Sequence, residues 1–210
     1  MKDDYFGKNT RFHSVGPLLE ARYGGPAGGN ILRKAGEYLK AELAELDGGL
    51  EKTVRKHMVS TVLPGYSLYR AMLDCGIGQD AAIEILEGEM CRSAEQKGRF
   101  MGTLGRLPFA YPLMRLIFRT VTRLSYPPEG WAVSFGRADS ERLEVFISSC
   151  LYCREFEKRG YPELGRAFCK TDHIVYLPLA PNIVFSQEGT LAKGCARCDF
   201  VFSDGKSSAR

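Results

Sequence analysis

The chain has 210 residues, 44% of them hydrophobic, which is enough to build one domain of ordinary to large size around a sizeable core. Its formal net charge is only +4 and its lysines and arginines are scattered, a pattern that argues against a nucleic-acid-binding protein. No stretch reaches ~18 uncharged apolar residues and the first 13 residues are polar, so neither a membrane span nor a signal segment is predicted.

Helices are predicted for the first half of the chain. Residues 1–30 look like a loosely ordered segment because they include a turn-rich stretch of glycines. From Ile31 to Val59 apolar residues recur every three or four positions, which predicts an amphipathic helix interrupted at Gly48-Gly49. Two further helices are predicted, one over Ser67–Cys75 and one that starts near Asp80.

A fourth helix is predicted over Phe109–Leu124, and it carries two stripes. One stripe is apolar and comprises Leu113, Leu116, Ile117, Val121 and Leu124. The other is basic, because Arg115, Arg119 and Arg123 recur at every fourth position. We interpret the basic stripe as a solvated face; the alternatives are capture of an acidic ligand and contact with a membrane surface.

The pattern changes to strands after residue 130. Two short runs rich in β-forming residues, 131–135 and 143–147, predict a β-hairpin. A short helix is predicted over Cys150–Arg159, and Pro162 suits the first turn of another helix that carries Cys169 and Asp172. Two more strands are predicted over 182–185 and 198–202.

This order of elements indicates an α+β protein. Helices followed by a β-β-α-α-β-β unit favour a small antiparallel sheet. We therefore expect a single domain over residues 31–203, with a helical part at 31–126 and a sheet-containing part at 131–203. Residues 204–210 are expected to form a flexible tail.

The seven cysteines include two Cys-x-x-Cys pairs, Cys150 with Cys153 and Cys195 with Cys198. The pairs lie much farther apart than the 15–20 residues typical of a zinc ribbon, so zinc is the weaker interpretation although distant pairs can meet in space. Neither pair has the βαβ context of a thioredoxin-like motif. The odd number of cysteines and the polar start of the chain predict a cytoplasmic protein with mostly reduced thiols.

Two cysteines are accompanied by carboxylates. Cys169, Asp172 and His173 fall on one face of the predicted helix, and strand alternation turns Cys198 toward the core and Asp199 away from it. A neighbouring carboxylate disfavours a thiolate, so an activated thiol also needs a cation or a helix N-terminus. His173 is either a general base or a surface histidine.

The last third of the chain, about 131–203, resembles the L-2-amino-thiazoline-4-carboxylic acid hydrolase family. The shared pieces are specific in their order and spacing: Trp131 at the start of a strand, Cys150 after the second strand, "GYPEL" at 160–164, "CKTD" at 169–172 and "TLAKGCARCDF" at 190–200. There are departures. Gln187 and Glu188 stand where an Arg-Thr pair is expected, and Cys153 and Cys195 do not match family positions.

The resemblance implies hydrolysis of a cyclic isothiourea-like ring to a carbamoyl-cysteine product, without a cofactor or a metal. Asp172 or Asp199 is then the base, and Cys169 is a covalent nucleophile or only shapes the site. The catalytic residues expected on this basis are Cys169, Asp172, Cys198 and Asp199, and the substrate-binding residues are Cys150, Glu163, Thr190 and Lys193. The expected partner is a small-molecule substrate, and a homo-oligomer is one alternative for the assembly.

A weaker resemblance connects the chain with the small-ligand-binding domains of the vinyl-reductase type. These domains also place helices before a small sheet and end in a cysteine-containing strand. The resemblance supports a second hypothesis, a non-catalytic binding or sensor module in which the cysteines and aspartates line a ligand pocket. A zinc-stabilised structural protein is the third hypothesis.

Overall fold

The computed structural model describes residues 6–7 and 9–206. The chain divides into two compact units, Met1–Ser93 and Ala94–Arg210. The single domain predicted over 31–203 stays a prediction. Of the predicted tail, 207–210 lie outside the described residues, whereas Asp204 ends the last strand.

The first unit is helical. α2 packs against α1 at Gly28, where an added Cβ atom would lie 2.8 Å from the Cα atom of Glu20. α3 begins at Glu51, whose carboxylate accepts the N–H groups of Thr53 and Val54 at 2.7 and 2.9 Å. A π-helical turn, Met58–Val62, leads from α3 into α4. The helices are α1 (Val15–Tyr23), α2 (Gly25–Ala44), α3 (Lys52–His57), α4 (Leu63–Asp74) and α5 (Gln79–Gly105), which extends into the second unit.

The N-terminal segment differs from its predicted loose order. Residues 15–23 and 25–30 are helical, while 1–5 and 8 lie outside the described residues. The glycines that suggest turns in the sequence are used for helix packing, because a residue without a Cβ atom lets α1 and α2 approach at Gly28. Pro26 lies in the first turn of α2, where its missing N–H is tolerated. The predicted interruption at Gly48-Gly49 is present between α2 and α3.

The second unit combines short helices with a four-stranded antiparallel sheet in the order β1-β2-β4-β3. The predicted α+β class is confirmed, and so is the hairpin, although both of its strands are longer than predicted. The elements are α6 (Ala110–Ser125), β1 (Trp131–Ala138), β2 (Arg142–Cys150), α7 (Leu151–Lys158), α8 (Gly165–Cys169), α9 (Thr171–Tyr176), β3 (Ile183–Ser186) and β4 (Cys198–Asp204).

One face of the sheet forms the core of this unit. Strand alternation buries Cys198, Phe200 and Phe202 on β4, opposite Ile147, Val145 and Leu143 of β2. The Phe202 ring lies 5.0 Å from the ring of Phe118 on α6. Cys198 is therefore fixed at the edge of a packed aromatic core, as its position in the alternating pattern predicts.

α6 lies against the sheet with a side that the apolar stripe did not mark. Its buried residues are Ala110, Tyr111, Met114 and Thr122. Leu116 and Leu124, in the apolar stripe, are 78% and 71% exposed, and Ile117 and Val121 are also exposed. The three arginines of the basic stripe are exposed as well, and the guanidinium of Arg119 lies 4.6 Å from the centre of the Phe135 ring. None of the helices in the described part of the chain has the length and hydropathy needed to cross a bilayer.

The segment after Pro162 is broken rather than one helix. It contains a 3-10 turn at Pro162–Leu164, then α8, then α9, so that Cys169 ends one helix and Asp172 opens the next. At the break the Thr171 hydroxyl donates to the carbonyl of Phe168 at 2.8 Å, a local bond that competes with continuous helix. α9 packs very closely on α5, because a Cβ atom at Gly98 would lie 2.4 Å from the carbonyl oxygen of Ile174.

Candidate functional site

Four cysteines and one aspartate of the second unit come together where several elements begin or end. Cys150 ends β2, Cys153 lies in the first turn of α7, Cys169 ends α8, Asp172 opens α9 and Cys198 begins β4. We call these five residues the thiol cluster. They are close enough to affect one another electrostatically, and all except the buried Cys198 keep part of their surface exposed.

Cys150 occupies the N-cap position of α7, with extended backbone angles of φ −126° and ψ 128°. It makes no regular side-chain capping bond among the described residues. Its sulfur nevertheless receives the thiol of Cys153, the N–H groups of Cys153 and Tyr152, and the side chain of Trp131, and these donors lower the pKa of Cys150 to about 6 against the opposing effect of burial. A helix N-terminus also favours negative charge. Cys150 is therefore the activated thiol of the cluster.

Cys153 is the proton-bearing partner of Cys150. Its thiol donates to the sulfur of Cys150, and this bond, together with burial, raises the pKa of Cys153 far above the ordinary value. Its sulfur lies next to Gly165, where an added Cβ atom would be at an ordinary contact distance of 3.6 Å from Cys153 Sγ and closer, at 3.1 Å, to the Cβ atom of Ala192. The two sulfurs thus share one proton, with the negative charge on Cys150.

Cys169 and Cys198 are held by the turn that follows Thr190. The N–H of Leu191 donates to Cys198 Sγ at 3.3 Å, and the N–H of Ala192 faces the sulfur of Cys169. Burial, more than nearby negative charge, raises the pKa of Cys198 to about 11 and that of Cys169 even further. Both therefore remain neutral thiols at neutral pH.

Asp172 is the acidic group of the cluster. Burial raises its pKa to about 7, with a further contribution from the charge of Cys150, while Lys97 and the Gln187 amide oppose the rise. The Nε2 atom of Gln187 is buried and makes no hydrogen bond of normal geometry among the described residues. Asp172 is thus poised to exchange a proton near neutral pH, the property required of a general acid or base.

The second unit also contains an apolar cavity of about 420 Å³, whose wall includes none of the five cluster residues. Lys97 and Tyr176 line it, and both interact electrostatically with Asp172. The rest of its wall comes mainly from apolar side chains of α5 and α6, among them Phe100, Met101 and Ile117. A volume of this size suits a small metabolite.

The comparisons with known proteins identify the family. The family model described as L-2-amino-thiazoline-4-carboxylic acid hydrolase matches residues 55–202, about 70% of the 210-residue chain. The chain belongs to the L-2-amino-thiazoline-4-carboxylic acid hydrolase family. A search of the curated proteins finds no significant match. The resemblance stated from the motifs is confirmed, and the matched region extends well upstream of them, into the first unit.

The family motifs do not all meet at one place. The structure brings together Cys150, Cys198 and the pair Cys169 and Asp172, which come from three separate motifs. Thr190 is 4% exposed, and its Oγ1 atom is buried without a hydrogen-bond partner among the described residues. Because the turn that starts at Thr190 contacts Cys169 and Cys198, this motif supports the cluster from one side.

Three other predicted site residues lie elsewhere. Lys193 ends the exposed turn after Thr190, and Glu163 is half-buried in the 3-10 turn that starts at Pro162. Asp199 lies on the face of β4 opposite Cys198, and its Oδ1 atom accepts the N–H groups of Glu188 and Gly189 at 3.0 and 2.7 Å. Its visible role is to hold the loop that leads to Thr190.

This geometry predicts different results for two substitutions of Asp199. Asp199→Asn keeps an acceptor oxygen for the loop, so activity should stay within about threefold of the unchanged protein. Asp199→Ala removes the acceptor and lets the turn at Thr190 shift, which should lower activity by about 10- to 100-fold. The comparison of kcat/KM values tests this, and an equal, severe loss in both variants would make Asp199 a catalytic carboxylate instead.

His173 does not accompany Asp172 into the cluster. It lines a separate groove of about 780 Å³ with Arg99 and Arg106, and its ring lies 5.7 Å from that of Phe185. Asp172 and His173 are consecutive residues of α9, and consecutive side chains of a helix point about 100° apart, so the two can face different surroundings.

The second Cys-x-x-Cys pair is separated by the fold. Cys195 is exposed and close to Gly189, whereas Cys198 is buried on the core side of β4. Within the described part of the chain, no group of three or more histidine, cysteine, aspartate or glutamate side chains is arranged to hold a metal ion.

The sequence placed Cys150 among the expected substrate-binding residues and left Cys169 as either a covalent nucleophile or a residue that only shapes the site. It did not reveal that Cys150 lies at a helix N-terminus among hydrogen-bond donors. The signal was present, because Cys150 stands after a strand and before a helix, where a thiol gains the helix N-terminus. The contributions of Trp131 and of the Cys153 thiol depend on the hairpin register, which pairs Trp131 with Cys150.

Proposed function

We propose that the protein is a hydrolase that opens a small cyclic C–N/C–S compound of the 2-amino-thiazoline-4-carboxylate type, giving a carbamoyl-cysteine product. Membership of the family supports the reaction class. The observation that carries the proposal is the juxtaposition of an activated thiol, Cys150, with a half-buried carboxyl of matched pKa, Asp172. Nucleophile and proton donor are the two groups that ring opening requires.

In this proposal Cys150 is the covalent nucleophile. Its thiolate attacks the ring carbon between sulfur and nitrogen, the bond from that carbon to the ring sulfur breaks, and the carbon stays attached to Cys150 as an isothiourea. The helix N-terminus and the Trp131 side chain hold the thiolate before attack and accept it again as the leaving group.

Asp172 moves the protons of both steps. It gives its proton to the departing ring sulfur, which becomes the thiol of the product. As a carboxylate it then takes a proton from the water that attacks the isothiourea carbon, and the bond to Cys150 breaks. The net change is the addition of one water molecule. Its pKa of about 7 suits both directions of transfer near neutral pH.

The remaining cluster residues shape the site in this proposal. Cys169 and Cys198 stay protonated and present neutral sulfur surfaces, which keeps a second thiolate away from Asp172. Lys97, at the wall of the apolar cavity, supplies positive charge suited to a substrate carboxylate. Because a working Cys150 must be reduced, we propose the cytoplasm as its compartment.

A direct assay tests the proposed function. The purified protein is incubated with 2-aminothiazoline-4-carboxylate, and release of the product thiol is followed with a thiol reagent after the protein has been removed. We expect turnover and a carbamoyl-cysteine product. Absence of turnover with this compound and with close ring analogues would refute the hydrolase.

The alternative is a non-catalytic small-molecule-binding domain, and the apolar cavity lined by Lys97 and Tyr176 favours it. A binding module would hold an unmodified ligand there and would not need an ionised Cys150. Saturable binding of the intact ring compound, recovered unchanged after long incubation, would support this alternative over the hydrolase.

A further inference from the structure

We propose that Cys150 and Cys153 form a reversible disulfide, so that this pair is a redox modification site. Cys153 lies outside the motifs that carry the family resemblance, and the proposed hydrolysis does not need it to react. The disulfide itself is independent of the proposed function; only its consequence, loss of the attacking thiolate, rests on it.

The geometry of the pair suits disulfide formation. Cys150 and Cys153 enclose two residues at the start of α7, and the thiol of one already donates to the sulfur of the other. The sulfurs therefore face each other and need only move from hydrogen-bond separation to the ~2.05 Å of a disulfide. Because Cys150 has extended backbone angles before the helix, its side chain can turn toward the first turn of α7.

The two thiols divide the roles that disulfide exchange requires. Cys150 is held by N–H donors and is the attacking thiolate, while Cys153 keeps its proton until an oxidised Cys150 removes the charge that holds it. Both keep part of their surface exposed, so a small oxidant can reach them. A partly exposed thiolate with a neighbouring resolving cysteine is the arrangement of a reversible thiol switch.

Either of two classes of oxidant can accept the two electrons that disulfide formation releases. Hydrogen peroxide transfers one oxygen to the Cys150 thiolate and leaves as hydroxide; the sulfur of Cys153 then attacks the sulfenic acid and water leaves. A small-molecule disulfide instead exchanges with Cys150 and releases one thiolate, and Cys153 then displaces the second. In both cases the two cysteines lose two electrons, and a dithiol reductant returns them.

The other cysteines of the unit are less suited as partners. Cys198 is buried, and its sulfur accepts the N–H of Leu191 at 3.3 Å. Cys169 faces the N–H of Ala192. Cys195 is exposed but lies beside Gly189, outside the thiol cluster. Cys153 is the cysteine whose thiol donates to the sulfur of Cys150.

The experiment uses the single tryptophan as a reporter. Trp131 contacts Cys150, and a disulfide beside an excited indole quenches its emission. The reduced full-length protein is treated with hydrogen peroxide and, separately, with oxidised glutathione. Peptide mass spectrometry then locates any disulfide. We expect a Cys150–Cys153 disulfide with both oxidants, a fall in tryptophan fluorescence, and recovery of both signals with dithiothreitol.

Two variants make the result specific. Cys195→Ser, an exposed cysteine outside the cluster, should oxidise like the unchanged protein. Cys153→Ala should give no intramolecular disulfide, and its Cys150 should proceed under peroxide to acids that dithiothreitol does not reduce. A disulfide from Cys150 to Cys169 or Cys198 in the unchanged protein, or no disulfide at all, would overturn the proposal without reference to any variant.

Activity separates the two proposals. If the ring assay works, reversible oxidation should abolish turnover and dithiothreitol should restore it. If the disulfide forms but the reduced protein opens no ring, the modification site stands and the hydrolase fails. If turnover continues unchanged in protein that mass spectrometry shows to be fully Cys150–Cys153 disulfide, the disulfide stands but Cys150 is not the nucleophile.

Discussion

Cys150→Ser is expected to lower the rate of ring opening by at least about a thousandfold, because removal of a covalent nucleophile removes the whole catalytic route that depends on it. A serine hydroxyl in this position accepts the same N–H groups but does not ionise near neutral pH. The donors that lower the pKa of Cys150 to about 6 therefore have no thiolate to stabilise in the variant.

The measurement is kcat/KM for ring opening, with Cys195→Ser as the matched control. Cys195 has an exposed side chain and is not part of the cluster, so its substitution by serine should leave the rate unchanged. Cys169→Ser should retain clearly more activity than Cys150→Ser, since Cys169 remains a neutral thiol in the proposed mechanism. Should Cys169→Ser be the more damaging of the two, the nucleophile would be Cys169, one of the two roles that the family resemblance leaves open for it.

The pH dependence of the unchanged protein provides a second check. Activity requires ionised Cys150 and protonated Asp172, whose pKa values are about 6 and about 7. The rate should therefore rise through about pH 6 and fall above about pH 7 in a bell-shaped curve that belongs to the two groups as a pair. The groups that face them are Cys153, Cys169, Cys198, Lys97 and Tyr176.

Asp172→Asn is expected to damage activity and to stabilise the fold at alkaline pH. Loss of the proton carrier should lower kcat by about 10²- to 10⁴-fold. The asparagine side chain has the shape of the aspartate and carries no charge. The free-energy cost of burying an ionised carboxylate, which raises the pKa of Asp172, is therefore absent from the variant.

The sign of the stability effect follows from the direction of the pKa change. The folded-state pKa of Asp172, about 7, lies above the unfolded value, so its favourable contribution is fully present below about pH 4 and is lost as the pH rises through 7. At pH 8 the variant should be more stable by roughly 2–4 kcal/mol. The upper value corresponds to the full difference in pKa, and the lower value allows for solvent screening of the exposed part of the carboxyl group. Near pH 4 the two proteins should have similar free energies of unfolding.

Urea unfolding at pH 4.5 and pH 8 provides the measurement, with Asp199→Asn as the matched control. Asp199 binds loop N–H groups, so its substitution should bring no such gain at alkaline pH. A combination of low activity and higher stability at pH 8 would identify Asp172 as a group kept for function at a cost to the fold. If the unchanged protein and Asp172→Asn had equal free energies of unfolding at both pH values, burial would not raise the pKa of Asp172.

Parts of the site could be predicted from the sequence, because local patterns determine them. Strand alternation places Cys198 with Phe200 and Phe202 on the buried face and turns Asp199 away. The position of Cys150 between a strand and a helix also follows from local pattern. What a thiol does at that position depends on its donors, and those come from β1 and from the first turn of α7.

Helical periodicity determined the existence of α6 but not its orientation. The stripe with Leu116 and Leu124 is apolar but exposed, whereas Ala110, Tyr111 and Met114 of the same helix are buried in the core that includes the sheet. The sequence shows which face of a helix is apolar. Which face becomes buried also depends on how well each face fits the surface opposite it. The same limit applies to Gly28, where the residue that suggests a turn is a packing contact.

The sequence by itself determined the α+β class, the hairpin, the family and the residue types of the site, because periodicity and motif spacing are local properties of the chain. Only the tertiary structure decided that Cys150, Cys153, Cys169, Asp172 and Cys198 meet, that Asp199 holds a loop instead, and that Asp172 keeps its proton up to about pH 7. Desolvation and charge depend on distances between segments far apart in the sequence, and folding alone sets those distances.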